Sequence, residues 1–286
     1  MSATNAGQPD DPYWGPSPDD PLVSDSVGGW WSRTMEVFGR SWRSIGPLML
    51  VGVFLPSLVF GTSYNFSTRD AGGFDAYGWE VVGRGGPSLI LGLVLGYLTA
   101  VAWAGALRVA AKEAVGQTSD FGESLRYGFT RGLSLWGWGI LAYVTVVVGL
   151  VLCVLPGLWA LVALSLVAPV TVFERANSYL RSIKLVHSGF AAALGRLLIT
   201  WLVASVYGCV VGLLGGCVAA AFGAGADSTL GDGAAFAVIA LVQAVVSLLL
   251  LAPAVWMVGA ILCVYAGLRS AREEVTAESL AAAADA

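Results

Sequence analysis

The chain has 286 residues, of which 57% are hydrophobic and only 12% charged, with a net charge of −4 at neutral pH and a mean hydropathy of +0.75. Soluble domains carry about a quarter charged residues, so this composition excludes an ordinary soluble protein and indicates a polytopic membrane protein. Nucleic-acid binding has no support, and the preference for Arg over Lys beside abundant Ala, Gly and Val indicates a GC-rich bacterial genome.

The two ends of the chain are polar. Residues 1–28 are rich in Pro, Asp, Ser and Gly and cannot bury apolar surface, so we predict a disordered tail there. They also lack the basic start and apolar core of a signal peptide, which leaves the first span as the insertion signal. A second tail is expected at 271–286, with a helical membrane domain at 29–270.

Six apolar stretches are candidates for membrane crossings, which need about 20 residues each. They lie at roughly 46–61, 88–111, 133–155, 158–173, 197–219 and 236–265. Only Pro156-Gly157 separates the third and fourth stretches, which predicts a tight hairpin at that dipeptide. The sixth is longer than one crossing requires and is expected to tilt or to kink at Pro253.

Two of the spans carry glycines at the four-residue spacing that lets membrane helices approach closely. The candidate packing residues are Gly92, Gly96, Gly208, Gly212 and Gly216. The sequence leaves open whether the last three face another helix of the same chain. The four cysteines lie in apolar runs without C-x-x-C spacing and are predicted to be small buried hydrophobes.

Three basic amphipathic segments, at 30–45, 112–132 and 176–190, each precede a pair of spans. Their apolar residues recur every three or four positions, which is typical of helices lying in a membrane interface. In the first segment the apolar face consists of Trp31, Met35, Phe38, Trp42 and Ile45. We therefore predict an all-α membrane protein of about six transmembrane helices in three hairpins, each preceded by a cytoplasmic interfacial amphipathic helix.

The distribution of charge along the chain predicts its orientation. Thirteen of the fifteen Lys and Arg residues fall on one side of the six spans, whereas Arg69 and Arg84 fall on the other. The positive-inside rule then puts both termini in the cytoplasm of a bacterium, with the spans in its cytoplasmic membrane.

The basic faces are the best candidates for a binding site, because each Lys or Arg near an anionic leaflet contributes about 1 kcal/mol. The candidate ligands of lipid headgroups are Arg33, Arg40, Arg43, Arg126, Arg131, Arg181 and Lys184. The alternative is that these cations only fix the topology and orient the helices.

Other polar residues give weaker signals. His187 lies on the polar side of the third segment with no second ligand in helical reach, so no metal site and no cofactor are predicted. Glu174 is expected to mark the end of a span, and Gln243 to bond one helix to another. Because no nucleophile and base are paired, we expect the chain not to be an enzyme.

One pattern resembles a known family. An apolar span that ends in Pro169 and Glu174 is followed by an amphipathic helix with Arg181-Ser182, and Arg40-Ser41-Trp42 stands in a similar helix earlier in the chain. This resembles the membrane domain associated with bacterial glycerophosphoryl diester phosphodiesterases and its stand-alone relatives, over most of 29–270.

The resemblance implies a helical membrane domain without the enzyme. In fused members the chemistry belongs to a separate soluble barrel that uses His, Glu and Asp. This chain has no room for that barrel, and its only histidine, His187, precedes Ser188-Gly189 rather than the Arg-Gly of the enzyme's motif. The enzymatic activity is therefore not carried over.

Two functional hypotheses follow. The first is a non-enzymatic membrane protein whose basic helices engage anionic lipid headgroups, a membrane-protein partner or a second copy of the chain. The alternative is a transporter or permease component for an apolar or lipid-like substrate. The three hairpins and the in-span prolines Pro56, Pro169 and Pro253 favour that alternative.

Overall fold

The computed structural model describes residues 20–61, 85–174, 177–229, 232–273 and 275–285. All regular secondary structure in these ranges is helical, and six of the helical stretches are long and apolar enough to cross a membrane. The predicted all-α membrane fold is therefore confirmed.

The helices follow one another with short connections. They are α1 (Val27–Met49), α2 (Gly85–Ala114), α3 (Phe121–Leu152), α4 (Val154–Leu164), α5 (Val167–Phe173), α6 (Ser178–Ser188), α7 (Phe190–Thr229), α8 (Asp232–Leu249), α9 (Leu251–Ser270) and α10 (Ala277–Ala283). After α1 the chain passes through a π-helical turn at Leu50–Phe54 and stays helical to Gly61.

The amphipathic segments differ in how they join the spans. The first forms the beginning of the same continuous helix as the first span, and the second enters α3 directly after Asp120, whose side chain accepts a hydrogen bond from the Glu123 N–H at 3.1 Å. Only the third is a helix of its own: α6 begins after Asn177 and ends at Gly189. A helix continues wherever no residue interrupts its hydrogen bonds, so amphipathic and apolar stretches fuse when no cap separates them.

The face of α1 that packs inside the protein differs from the apolar face predicted from the sequence. Trp30, Thr34 and Val37 are buried, whereas Trp31 and Met35 are exposed. The Trp30 ring N–H donates to the carbonyl of Ala260 in α9 at 3.3 Å. The predicted face is thus turned outward along much of its length.

The hairpin between the third and fourth spans turns at Cys153, not at Pro156-Gly157. Cys153 alone has an extended backbone, between the end of α3 and the start of α4. Pro156 lies in the first turn of α4, where an N–H has no intrahelical partner to lose. A Cβ on Gly157 would lie 2.4 Å from Cγ of Leu150, so the glycine allows the two helices to approach.

A second proline, Pro56, lies within the helix of the first span. Pro56 cannot donate to the carbonyl of Gly52, four residues earlier. The Thr99 hydroxyl of α2 donates to that carbonyl at 2.7 Å. A side chain of a neighbouring helix therefore replaces the bond that the proline removes.

The sixth span is interrupted at Leu250, three residues before Pro253. Helix α8 ends at Leu249 and α9 begins at Leu251. The carbonyl of Leu249, which Pro253 cannot satisfy, accepts a hydrogen bond from the Tyr207 hydroxyl of α7 at 3.0 Å.

We expect Tyr207→Phe to lower the free energy of unfolding by about 1 kcal/mol, because it leaves this carbonyl without its partner. Tyr143→Phe is the matched control, since Tyr143 is exposed and no hydrogen bond joins its hydroxyl to a described residue. Denaturation in mixed detergent micelles measures the free energy of unfolding of both variants. Equal stability of the two variants would contradict the structural role of Tyr207.

Packing is uneven along the bundle. The buried core combines Trp30 of α1, Leu107 of α2, Val170 of α5 and Leu262 of α9. By contrast, the later part of α3, the middle of α7 and α8 expose large apolar side chains along 140–152, 198–214 and 241–249. We call these exposed stretches the apolar belt, which suits contact with lipid acyl chains.

The two predicted tails are shorter than expected. Leu22 and Val23 are buried in the core, and Leu280 of α10 is buried with them. The Asp20 side chain accepts from the N–H groups of Leu22 at 2.8 Å and Ala277 at 3.0 Å. The disordered assignment is thus wrong for 20–28, and 275–285 is docked rather than free, because both segments carry apolar residues to bury. Residues 1–19 lie outside the described residues.

The candidate packing glycines fall into two groups. A Cβ on Gly92 or Gly96 would lie 3.4 Å from Phe60 or Trp136, in ordinary contact with a neighbouring helix. Cβ atoms on Gly208, Gly212 and Gly216 would meet nothing within 4 Å in the described part of the chain. The glycine of α7 that packs inside the chain is Gly215, whose Cβ would lie 2.4 Å from Val246.

Candidate functional site

The turn between α5 and α6 brings several charged side chains together. Helix α5 ends at Phe173 with Glu174 as its C-cap, and the Asn177 side chain starts α6 by accepting from the Leu180 N–H at 3.2 Å. The Ser182 hydroxyl donates to the carbonyl of Ala163 at 2.7 Å and holds α6 against α4. Arg181 is thereby held next to Glu174.

An ion-pair cluster forms around this turn from Glu174, Arg181, Tyr265, Arg269 and Glu273. Arg181 Nε donates to Glu174 Oε2 at 2.7 Å, and its Nη2 donates to Glu273 Oε1. Arg269 Nε donates to the other oxygen of Glu273 at 2.6 Å. The Tyr265 hydroxyl donates to Glu174 Oε1 at 2.8 Å and accepts from Arg269 Nη1 at 2.9 Å.

The charges of this cluster are fixed and balanced. The hydrogen bond to Glu273 and the bond to Glu174 hold the pKa of Arg181 above its ordinary value. Burial opposes ionisation of Glu273, but the hydrogen bonds from Arg269 and Arg181 outweigh it and lower the pKa of that carboxyl. Two guanidinium groups therefore bind the two oxygens of one carboxylate, an arrangement that suits any bidentate oxyanion.

A second group of charges lies where α2 ends. Arg108 Nη2 donates to Asp285 Oδ1 at 2.7 Å, and its Nε donates to the carbonyl of Ala284 at 3.3 Å. Lys112 Nζ lies 3.0 Å from the same carboxylate. The hydrogen bond from Lys112, joined by that from Arg108, holds the pKa of Asp285 below its ordinary value although burial acts the other way.

Sequence reasoning did not identify Arg108, Lys112 or Asp285 as a site. In the sequence, Arg108 and Lys112 contribute only to the charge distribution that predicts topology, Asp285 lies in the predicted tail at 271–286, and 177 positions separate Arg108 from Asp285. Arg196, which immediately precedes the predicted fifth span at 197–219, is buried near the beginning of α7 and donates to the carbonyl of Ser24 at 2.7 Å. No local pattern could have revealed these partners.

The structure divides the seven candidate headgroup ligands. Arg181 belongs to the ion-pair cluster, Arg40 donates to the carbonyl of Ala114 at 3.3 Å, and Arg33 lies 3.8 Å from Glu36. Arg131 is half-buried beside Tyr127.

The remaining three, Arg43, Arg126 and Lys184, are exposed and form no hydrogen bond or ion pair with any described residue. Each has a large exposed apolar side chain close by in the sequence, namely Trp42 (39% exposed), Phe129 (46%) and Leu180 (53%). One basic and one apolar side chain therefore point outward from each of the three amphipathic segments.

The other polar residues singled out in the sequence are accounted for as follows. The Gln243 amide donates to the carbonyl of Ser57 at 3.2 Å, so the predicted bond between helices is confirmed. Glu174 ends α5 as predicted and also lies at the centre of the cluster. His187 is exposed, with its ring centroid 5.6 Å from that of Trp159.

The cysteines differ from expectation. Cys263 is buried, but Cys153, Cys209 and Cys217 are exposed. The latter three lie at the hairpin turn and on faces of α7 that other helices leave open. Among the residues that the structure describes, no group of three His, Cys, Asp or Glu side chains is arranged to hold a metal ion.

Comparison of the chain with protein-family models, with curated proteins and with solved structures found no match.

Proposed function

We propose that the protein is a non-enzymatic component of the bacterial cytoplasmic membrane whose charged end binds anionic lipid headgroups. The observation that carries the proposal is the outward-facing pair of one cation and one large apolar side chain on each amphipathic segment. An apolar side chain such as Trp42 or Phe129 can insert at the boundary between lipid headgroups and acyl chains, while the cation beside it can bind a headgroup phosphate.

The arrangement of the helix ends supports this proposal. Contacts between Arg40 and Ala114, Arg196 and Ser24, and Arg108 and Asp285 join the charged ends of several helices at one end of the bundle. We infer that this end faces the cytoplasm, in accord with the positive-inside rule. Both described termini lie at this end.

The triple variant Arg43→Gln, Arg126→Gln, Lys184→Gln tests the proposal. At about 1 kcal/mol for each cation, we expect retention of anionic lipid to fall on the order of 100-fold, with little change for zwitterionic lipid. Native mass spectrometry of protein released from mixed-lipid nanodiscs measures the retention of both kinds of lipid.

The matched control is Arg43→Lys, Arg126→Lys, Lys184→Arg, which keeps every positive charge and should retain anionic lipid as the wild type does. Unchanged retention of anionic lipid in the glutamine variant would show that these cations only fix the membrane topology and orient the helices.

The transport alternative is motivated by the three hairpins and by the in-span prolines Pro56, Pro169 and Pro253. The carbonyls that Pro56 and Pro253 cannot satisfy are already bonded to Thr99 and Tyr207. Such carbonyls are not free to bind a substrate, so we favour the lipid-binding proposal. The resemblance to the phosphodiesterase-associated membrane domain is compatible with either function and stays a prediction.

A further inference from the structure

The segment 275–285, which we call the strap, lies across the charged end of the bundle. Its helix α10 has only seven residues and begins with a capping box between Thr276 and Ser279. A helix this short is not stable alone in water, so its order depends on what it contacts. The apolar part of that contact comes from Leu280 and from small residues such as Ala277.

A carboxylate anchors the strap at each end. Glu273, just before it, forms ion pairs with Arg181 and Arg269, one through each carboxylate oxygen. Asp285 in the same way forms ion pairs with Arg108 and Lys112. We call Arg181 with Arg269 and Arg108 with Lys112 the two cation pairs. In both places one carboxylate accepts from two cations, which is how a phosphate group is held in proteins.

Both anchors are accessible from outside. The side chains of Glu273 and Asp285 are partly exposed, whereas the Arg108 and Lys112 side chains beneath Asp285 are largely covered. Lys184 follows Arg181 by one turn of α6, and Arg126 follows Glu123, which lies 3.6 Å from Arg108. The cation pairs are thus close to the exposed cations Arg126 and Lys184.

We propose that the strap is an internal competitor for anionic lipid headgroups. The carboxylates of Glu273 and Asp285, which anchor it, occupy the two cation pairs, and a phosphodiester headgroup takes the place of either carboxylate when the charged end meets an anionic leaflet. The inference rests on the proposed function and adds its regulation: the protein offers few cations on a neutral membrane and more on an anionic one.

Hydrogen exchange of the α10 amides tests the proposal on the wild-type chain. In nanodiscs containing phosphatidylglycerol we expect exchange at 277–283 to be about fivefold faster or more than in phosphatidylcholine, since the strap is then undocked for more of the time. Inorganic phosphate added to the phosphatidylcholine nanodiscs should leave the exchange rate unchanged. Equal rates on both lipids, or acceleration by free phosphate, would overturn the proposal.

Charge variants supply a second measurement. Asp285→Asn should increase anionic lipid retention about fivefold and accelerate α10 exchange on both lipids. Glu278→Gln is the matched control: it removes one negative charge from the same helix, and Glu278 is exposed and forms no ion pair with a described residue. If both variants gained the same amount of anionic lipid retention, the effect would come from net charge alone. The proposal that the strap competes with lipid headgroups would then be refuted.

The inference about the strap and the proposed function can be refuted independently of each other. If the glutamine variant of Arg43, Arg126 and Lys184 loses anionic lipid but the hydrogen-exchange rate of α10 is the same on both lipids, the strap inference is wrong and the proposed function stands. If that variant keeps its lipid while α10 exchange responds to anionic lipid, the strap inference stands and the exposed cations are not the main site.

Discussion

Glu174→Ala is expected to lower the free energy of unfolding by about 3 kcal/mol. The Glu174 side chain is only 10% exposed and accepts from Arg181 and from the Tyr265 hydroxyl. Removing one partner of a largely buried ion pair leaves the other charges without compensation. The loss stays at the lower end of the usual range because Glu273 still accepts from both arginines.

The control for this prediction is Glu36→Ala, which removes a surface partner. Glu36 is 47% exposed and lies 3.8 Å from Arg33 one turn earlier in α1, so the change should alter stability by less than about 1 kcal/mol. Denaturation of both variants in mixed detergent micelles gives the comparison. A Glu174→Ala protein as stable as the control would show that solvent screens the cluster.

Gly128→Ala is expected to destabilise the chain by about 2 to 3 kcal/mol. Helix α3 crosses α2 at this residue, and a Cβ on Gly128 would lie 2.3 Å from the backbone oxygen of Val101. A backbone atom within a helix cannot move aside as a flexible side chain can. The two helices must therefore separate, which disturbs the packing of Gly132 against the same valine.

Gly137→Ala on the same helix is the matched control. A Cβ there would meet nothing within 4 Å in the described part of the chain, and alanine is the better helix former by about 1 kcal/mol. Unfolding in mixed micelles should therefore show a loss for Gly128→Ala and no loss for Gly137→Ala. Similar stability of the two variants would mean that the crossing of α2 and α3 is looser than the structure has it.

The features that the sequence predicted are local ones. A run of apolar residues indicates a span wherever it occurs, and Pro253 interrupts helical hydrogen bonds whatever surrounds it. The apolar period of 176–190 predicts an amphipathic helix, and α6 is found close to those bounds. All these inferences depend on a few neighbouring residues.

The features that it missed depend on distant parts of the chain. A helical period identifies two faces of α1, but in a membrane protein both lipid and protein are apolar neighbours, so the pattern could not tell that Trp30 packs inward and Trp31 outward. Nor could the glycine spacing of α7 single out Gly215 over Gly212. The strap was missed because Asp285 finds its cations only after the bundle has formed.

The break at Leu250 divides the sixth crossing into two parts with different neighbours. Helix α9 is held in the core by Trp256, Leu262 and Tyr265, whereas α8 belongs to the apolar belt. A helix that is longer than the bilayer is thick adapts by tilting or bending. We therefore expect any such bending to occur at Leu250, so that α8 follows the thickness of the bilayer while α9 keeps the ion-pair cluster in place.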